Sequence, residues 1–249
     1  MRKKNIVIII LFICSICNAQ ITRIVYKNGI YGQNLDSIKL DKEKFKDIPQ
    51  EKIALLELFF KNQSNIEFEL IYDKSSSFYQ KKEFMPSDQN KIDEMNSLID
   101  NKKYFKNNDS KEKIYQTTLD NLYNVIVPFE EYKWTISNET KIINGYKCYK
   151  ATSIKEDIFN PYKQSKAIFY PEVWFTPEIP SSFGPQGLDG LPGLVLEATV
   201  NGKKYLYATK IEFNIKNVDK IEKFKKGKTI TSVDLEKIII DNYKKNQEN

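Results

Sequence analysis

The 249-residue chain has no histidine. On its own it therefore has no Ser-His-Asp triad, Cys-His dyad, His-ligated zinc or haem, or imidazole acid or base. Cysteine is also scarce. There are three, and Cys14 and Cys17 fall in the first nineteen residues. If that segment is removed, Cys148 has no partner and no disulfide supports the fold. A chain this long buries well over about 60% of its unfolded surface without such staples. Cys148 therefore reads as a core thiol, with no ready base beside it. Charge of one sign is lacking too. The 39 Lys+Arg oppose 33 Asp+Glu, a formal +6. That excess is too mild and too mixed for a nucleic-acid surface, and the Lys/Glu interspersion reads as a solvated exterior. No Gly/Ser-rich linker, internal repeat or separate hydrophobic cluster divides residues 20–249, which read as one domain.

The opening nineteen residues are laid out like a secretory signal peptide. Arg2, Lys3 and Lys4 precede an apolar run from Ile6 to Ile16, shorter than the roughly 20 residues a membrane span needs. Cys17-Asn18-Ala19 puts small residues before a cut at Gln20. Ile13 and Ile16, both bulky, precede the two leader cysteines and argue against lipidation. Cleavage would remove three basic residues and no acid, halving the net charge. The expected mature protein is exported, without a transmembrane span, to the periplasm or the cell exterior.

The mature chain reads as mainly β. Ile21 to Tyr26 is a short β run, and Asn28-Gly29 behind it has the form of a hairpin turn. Pro49 opens a stripe of Ile53, Leu56 and Phe60, widened by Leu55 and Phe59; it fits a helix, and Leu58-Phe59-Phe60 also fits a strand. Ile66, Phe68, Leu70 and Tyr72 alternate with polar neighbours. Phe78, Gln80, Lys82 and Phe84 mark a returning strand after Ser75-Ser76-Ser77. Pro86 to Asn108 is polar, either a short helix or a loop. β patterns resume over Ile114–Leu119, Leu122–Val127, Trp134–Ile136, Tyr146–Ile154, Ser165–Phe175, Leu194–Val200 and Lys204–Phe213, with turn signals at Asn144-Gly145 and Asn201-Gly202. Thr231-Ser232 caps a last helix striped by Leu235, Ile238, Ile239 and Tyr243. The expected architecture is a curved antiparallel sheet or half-open barrel with one or two flanking helices, one of them C-terminal.

Proline and glycine are concentrated in one segment. Six of nine prolines lie between Pro161 and Pro192, and Gly184, Gly187, Gly190 and Gly193 recur every third residue. Four repeats cannot sustain a collagen helix, so the segment reads as a tightly wound, low-entropy loop. Leu188, Leu191 and Leu194 keep the same spacing, and each contributes roughly 1.5–3 kcal/mol if it faces inward.

Gly190-Leu191-Pro192-Gly193-Leu194-Val195 resembles the signature of the GLPGLI family, secreted proteins of Bacteroidetes-type bacteria, with Val195 in place of the final Ile. The likeness extends to Trp134, to the run from Ile142 through Gly145, Tyr146, Cys148 and Lys150 to Ala151, and to Val173-Trp174-Phe175-Thr176-Pro177-Glu178-Ile179-Pro180. It covers Trp134 to Phe213. It implies export and a β-rich fold, and it brings no reaction, ligand or catalytic residue.

Three residues stand out as candidates for contact with a ligand or partner. Trp174 and Glu178 offer an aromatic plate beside a carboxylate; alternatively Trp174 fills the core at a strand end and Glu178 is solvated. Asp189 could hold a cation, or bond its own backbone in an Asx-turn. Asp189 with Glu197 is a weak carboxylate pair, since eight residues of spacing do not define a separation in space. No metal-ligand set, cofactor motif or catalytic motif is evident, so an enzyme is the less favoured reading. The favoured expectation is a non-enzymatic module for an apolar, lipid or other envelope ligand held in a curved sheet. The alternative is an assembly protein offering a sheet edge or the Pro/Gly-rich loop to a protein partner.

Overall fold

The computed structural model describes residues 20–32, 49–54, 57, 66–82, 101–161, 163–216, 218 and 220–248. The leader, the Lys39–Lys46 stretch, most of the stripe after Pro49 and Phe84 lie outside them. Fourteen strands are described: β1 (Thr22–Ile30), β2 (Glu67–Tyr72), β3 (Ser76–Lys81), β4 (Lys103–Asn107), β5 (Glu112–Thr118), β6 (Leu122–Ile126), β7 (Thr135–Ile143), β8 (Tyr146–Thr152), β9 (Lys155–Asn160), β10 (Ser165–Phe169), β11 (Glu172–Thr176), β12 (Leu194–Thr199), β13 (Lys204–Glu212) and β14 (Lys228–Thr231). The helix α1 (Ser232–Glu248) follows them, and residues 50–54 are also helical behind Pro49.

Twelve strands form one curved, open sheet in the order β14-β6-β5-β4-β3-β2-β1-β13-β12-β11-β8-β7, with β9 and β10 as a separate hairpin. Every pairing is antiparallel except that of β14 with β6. Strands β1 to β6 form one meander, and β7, β8, β11, β12 and β13 form a second half. The β1–β13 ladder joins the two. Among the described residues the end strands β14 and β7 do not pair with each other, so the sheet stays open.

Side-chain alternation puts the core on the concave face. Ile24, Tyr26, Phe68, Leu70, Tyr79, Leu206 and Ala208 share one cluster there. The opposite face of β1 and β2 carries ion pairs instead, such as Arg23 with Glu69 and Lys27 with Glu67. A second cluster gathers Ala151, Val173, Phe175, Leu188, Leu191 and Val195. A third packs Leu235, Ile238 and Ile239 of α1 on Tyr123, Val125, Ile158 and Ile230. α1 starts with a reciprocal cap: the Asp234 N–H donates to Thr231 Oγ1 (3.2 Å), and the Thr231 N–H and hydroxyl donate back to Asp234 Oδ2.

Some local expectations give way to tertiary context. Asn28-Gly29 is no turn: it lies inside β1, opposite Leu206 and Tyr205. The Tyr205 ring covers Gly29 so closely that a Cβ there would lie 2.4 Å from it. Lys103–Asn107, in the segment read as helix or loop, is β4. Ser165–Phe175 splits into β10 and β11 around buried Pro171. Asn144-Gly145 does form a tight hairpin, with both residues at positive φ (51° and 83°).

Candidate functional site

The Pro/Gly-rich segment between β11 and β12 is a strap. It leaves one half of the sheet and crosses the concave side to reach β3, β4 and β5 in the other. Leu188, Leu191 and Leu194 are all buried beneath or beside it. Asp189, at its centre, is only 5% exposed.

Two lysines of the sheet hold Asp189. Lys106 on β4 and Lys113 on β5 face each other directly across the ladder, and like charges so placed repel. Asp189 relieves that repulsion: Lys106 Nζ is 2.6 Å from its Oδ1 and Lys113 Nζ is 3.1 Å from its Oδ2. Lys113 also reaches Glu131 Oε2 at 2.7 Å and donates to the Gly187 carbonyl at 2.8 Å. Lys155 pairs with the other oxygen of Glu131. The Trp134 indole N–H donates to the Asp189 carbonyl at 2.8 Å, and its ring stacks on Tyr132. Burial pulls the Lys106 ammonium below its ordinary range, against the raising effect of Asp189. Burial would raise Glu131, but Lys113 and Lys155 outweigh it, and its pKa falls below 4.5. The sequence marked Asp189 for an Asx-turn or a cation. Neither reading anticipated the two buried lysines, which directly follow Phe105 and directly precede Ile114, respectively, and share their strand face with Tyr104 and Tyr115.

Beside the strap opens a cleft of about 390 Å³. Tyr104 and Tyr115, neighbours across β4 and β5 with rings 5.9 Å apart, line it with Tyr132. Lys113, Glu131, Lys155 and Asp157 add charge, and Gln186 enters from the strap. The Lys113 and Lys155 ammonium groups lie 5.0 and 5.4 Å from the Tyr132 ring centre. Burial first, and the nearby acids second, push the Tyr132 phenol above its ordinary value, so it stays protonated.

The structure does not bring the other sequence candidates into this cleft. Trp174 lies across from Lys150 on β8 and Glu197 on β12. Its ring is covered by the Lys141 ammonium at 4.3 Å, which also pairs with Glu197 at 2.7 Å. Glu178 accepts the Lys147 backbone N–H at 2.9 Å. Trp174 and Glu178 thus have separate partners, and neither lines the cleft. Glu197 likewise shares no partner with Asp189. Cys148 is fully buried, and burial pushes its thiol up to about 11. Among the described residues no group of three or more His, Cys, Asp or Glu is placed to hold a metal ion, and no helix is long and apolar enough to cross a membrane.

Residues 61–237, well over half of the chain, match a family described as N-glycanase peptide, N-terminal domain. The chain belongs to that family. The strap, both of its lysines and all of the cleft lining except Asn28 fall within the matched residues. Solved structures agree on the fold of this N-glycanase N-terminal domain family. A crystal structure of PNGF-II in space group P21 superposes with a TM-score of 0.54 at 19% identity, and one in space group C2 with 0.53 at 18%. Each comparison covers 89% of this chain and 33% of PNGF-II, so the chain spans about a third of that protein's length. No curated protein matches the sequence.

Proposed function

We propose that this chain is an exported, non-catalytic binding module whose ligand is a saccharide, such as the glycan of a glycoprotein. The observation that carries the reading is the cleft itself. Aromatic faces from Tyr104, Tyr115 and Tyr132 stand beside amide, carboxylate and ammonium groups in a space of about 390 Å³. Sugars need both kinds of contact, because their C–H faces pack on rings and their hydroxyls require hydrogen-bond partners. Charged groups share the lining with the rings, which favours such an amphipathic ligand over an apolar or lipid one. The family's description as an N-glycanase domain points the same way. The likeness to GLPGLI proteins, and with it export, belongs to the same proposal. The N-terminus of protein recovered outside the cytoplasm should begin at Gln20.

The test is calorimetric titration of the purified chain with an N-linked high-mannose glycopeptide and with the bare peptide. Saturable binding of the first alone, weakened in a folded Tyr115→Ala variant, supports the reading. Equal response to both probes, or none, refutes it.

The alternative, a protein partner, has one specific observation behind it. Edge strand β7 is largely solvent-facing, with Ile136 at 49% and Ile142 at 67% exposure, and an added strand would pair there. The Pro/Gly-rich loop is less suited to that role, since its leucines and Asp189 are buried.

A further inference from the structure

Five described non-glycine residues have a left-handed backbone: Lys111, Asn144, Gln164, Gln186 and Asn214. Of these, Gln186 alone lines the cleft. Its φ and ψ are 53° and 28°, inside a short 3₁₀ turn from Pro185 to Gly187. A glutamine gains nothing locally from this conformation, in which its Cβ crowds the backbone. The surroundings hold it there. The Leu188 N–H closes the turn onto the Pro185 carbonyl at 2.9 Å. The Gly187 carbonyl is gripped by buried Lys113, and Asp189, two residues on, is tied to Lys106 and Lys113. The Gly190 N–H donates to the Ser182 carbonyl at 2.8 Å, pinning the far side. The ion cluster therefore fixes the backbone just after the one strap residue that enters the cleft, and the Leu188–Pro185 bond fixes it just before. Strain maintained in this way at the wall of a cavity is a mark of ligand contact.

Among the described residues, no hydrogen bond uses the Gln186 carboxamide. That group presents a donor and an acceptor side by side. Two adjacent hydroxyls of a sugar ring match the pair, one accepting and one donating. A trans secondary amide does not, because its N–H and C=O point in opposite directions. We infer that Gln186 is the specificity-determining residue of the cleft, and that it reads a vicinal diol of the saccharide. This rests on the saccharide reading above and adds the contact that selects the ligand.

The test uses the full chain and the same high-mannose glycopeptide, intact and after periodate oxidation, which cleaves vicinal diols. Gln186→Gly keeps a residue at home in the left-handed region, so the variant should melt at or above the wild-type temperature. It should bind the intact glycopeptide about tenfold more weakly, the loss expected for two neutral hydrogen bonds. Gln186→Asn tolerates the same backbone and keeps the amide, and it should fall between the two. Oxidation should weaken wild-type binding to the level of Gln186→Gly and leave the variant almost unchanged. If Gln186→Gly binds the intact probe as tightly as wild type, or oxidation affects both proteins equally, the inference is overturned and the saccharide reading stands. If wild type binds neither form of the probe, both fall.

Discussion

Replacing Asp189 by asparagine should destabilise the fold by about 3–5 kcal/mol, the usual result of breaking a buried ion pair from one side. The magnitude follows from what remains. Lys113 keeps Glu131 at 2.7 Å and the Gly187 carbonyl at 2.8 Å. Among the described residues Lys106 keeps the Phe129 carbonyl at 3.4 Å, the face of that ring at 4.2 Å and at most a neutral amide oxygen where the carboxylate stood. Its side chain is 6% exposed, so water does not replace the lost partner. It also still faces Lys113 across the ladder. In a domain of this size each kcal/mol moves the midpoint by about 2–4 °C, so a fall of roughly 10 °C is expected. Adding Lys106→Met removes the stranded charge and should recover most of the loss, since buried pairs replaced by apolar groups are often nearly neutral. Urea unfolding followed by tryptophan fluorescence suits the measurement, because Trp134 is bonded to Asp189 itself. A loss under about 1 kcal/mol in the single variant, or a double variant no more stable than the single, would refute the reasoning.

Glu131 should make the protein acid-sensitive. Its folded pKa lies below the ordinary 4.5, so its stabilisation is complete above that value and is lost as pH falls through the folded pKa. Urea midpoints should drop between pH 6 and pH 3.5 in wild type and less so in Glu131→Gln; parallel curves would contradict this. The two signature glycines should fail for different reasons. Gly190 has φ +91°, and a Cβ there would meet the Trp134 indole nitrogen at an unstrained 4.0 Å, so Gly190→Ala costs about 1–2 kcal/mol of backbone strain. A Cβ on Gly193 would meet the Thr176 carbonyl oxygen at 2.2 Å, so Gly193→Ala forces backbone to move and should cost more; thermal melts in the reverse order would disprove the assignment. Cys148, buried with its thiol near 11, should react with a maleimide at pH 8 only as fast as the protein opens, and rapid labelling of folded protein would sink that expectation.

The sequence revealed the fold wherever local chemistry and tertiary packing agree. Asn144-Gly145 turns because both residues accept positive φ, and α1 starts where a side chain can cap it. Alternation marked β2, whose Phe68, Leu70 and Tyr72 are buried. In β3 it pointed to Phe78, but Tyr79 is the buried residue and Phe78 packs on Phe224 from the other face. Asn28-Gly29 misled because a covering ring on the neighbouring strand makes glycine acceptable in a strand interior. The site was harder to read than the fold. Lys106 and Asp189 are 83 positions apart, a separation no local pattern spans. Gln186 lies in the Pro/Gly-rich segment but outside its signature runs, and only the folded strap turns it toward a cavity.

The seam between the two halves of the sheet orders events in time. Thr209 bonds to the Val25 carbonyl across 184 positions of chain, so β1 is flanked on both sides only after the much later β13 has been made. Such distant pairing folds slowly. Until β13 arrives, β1 is held by β2 alone and the two halves of the sheet remain unjoined.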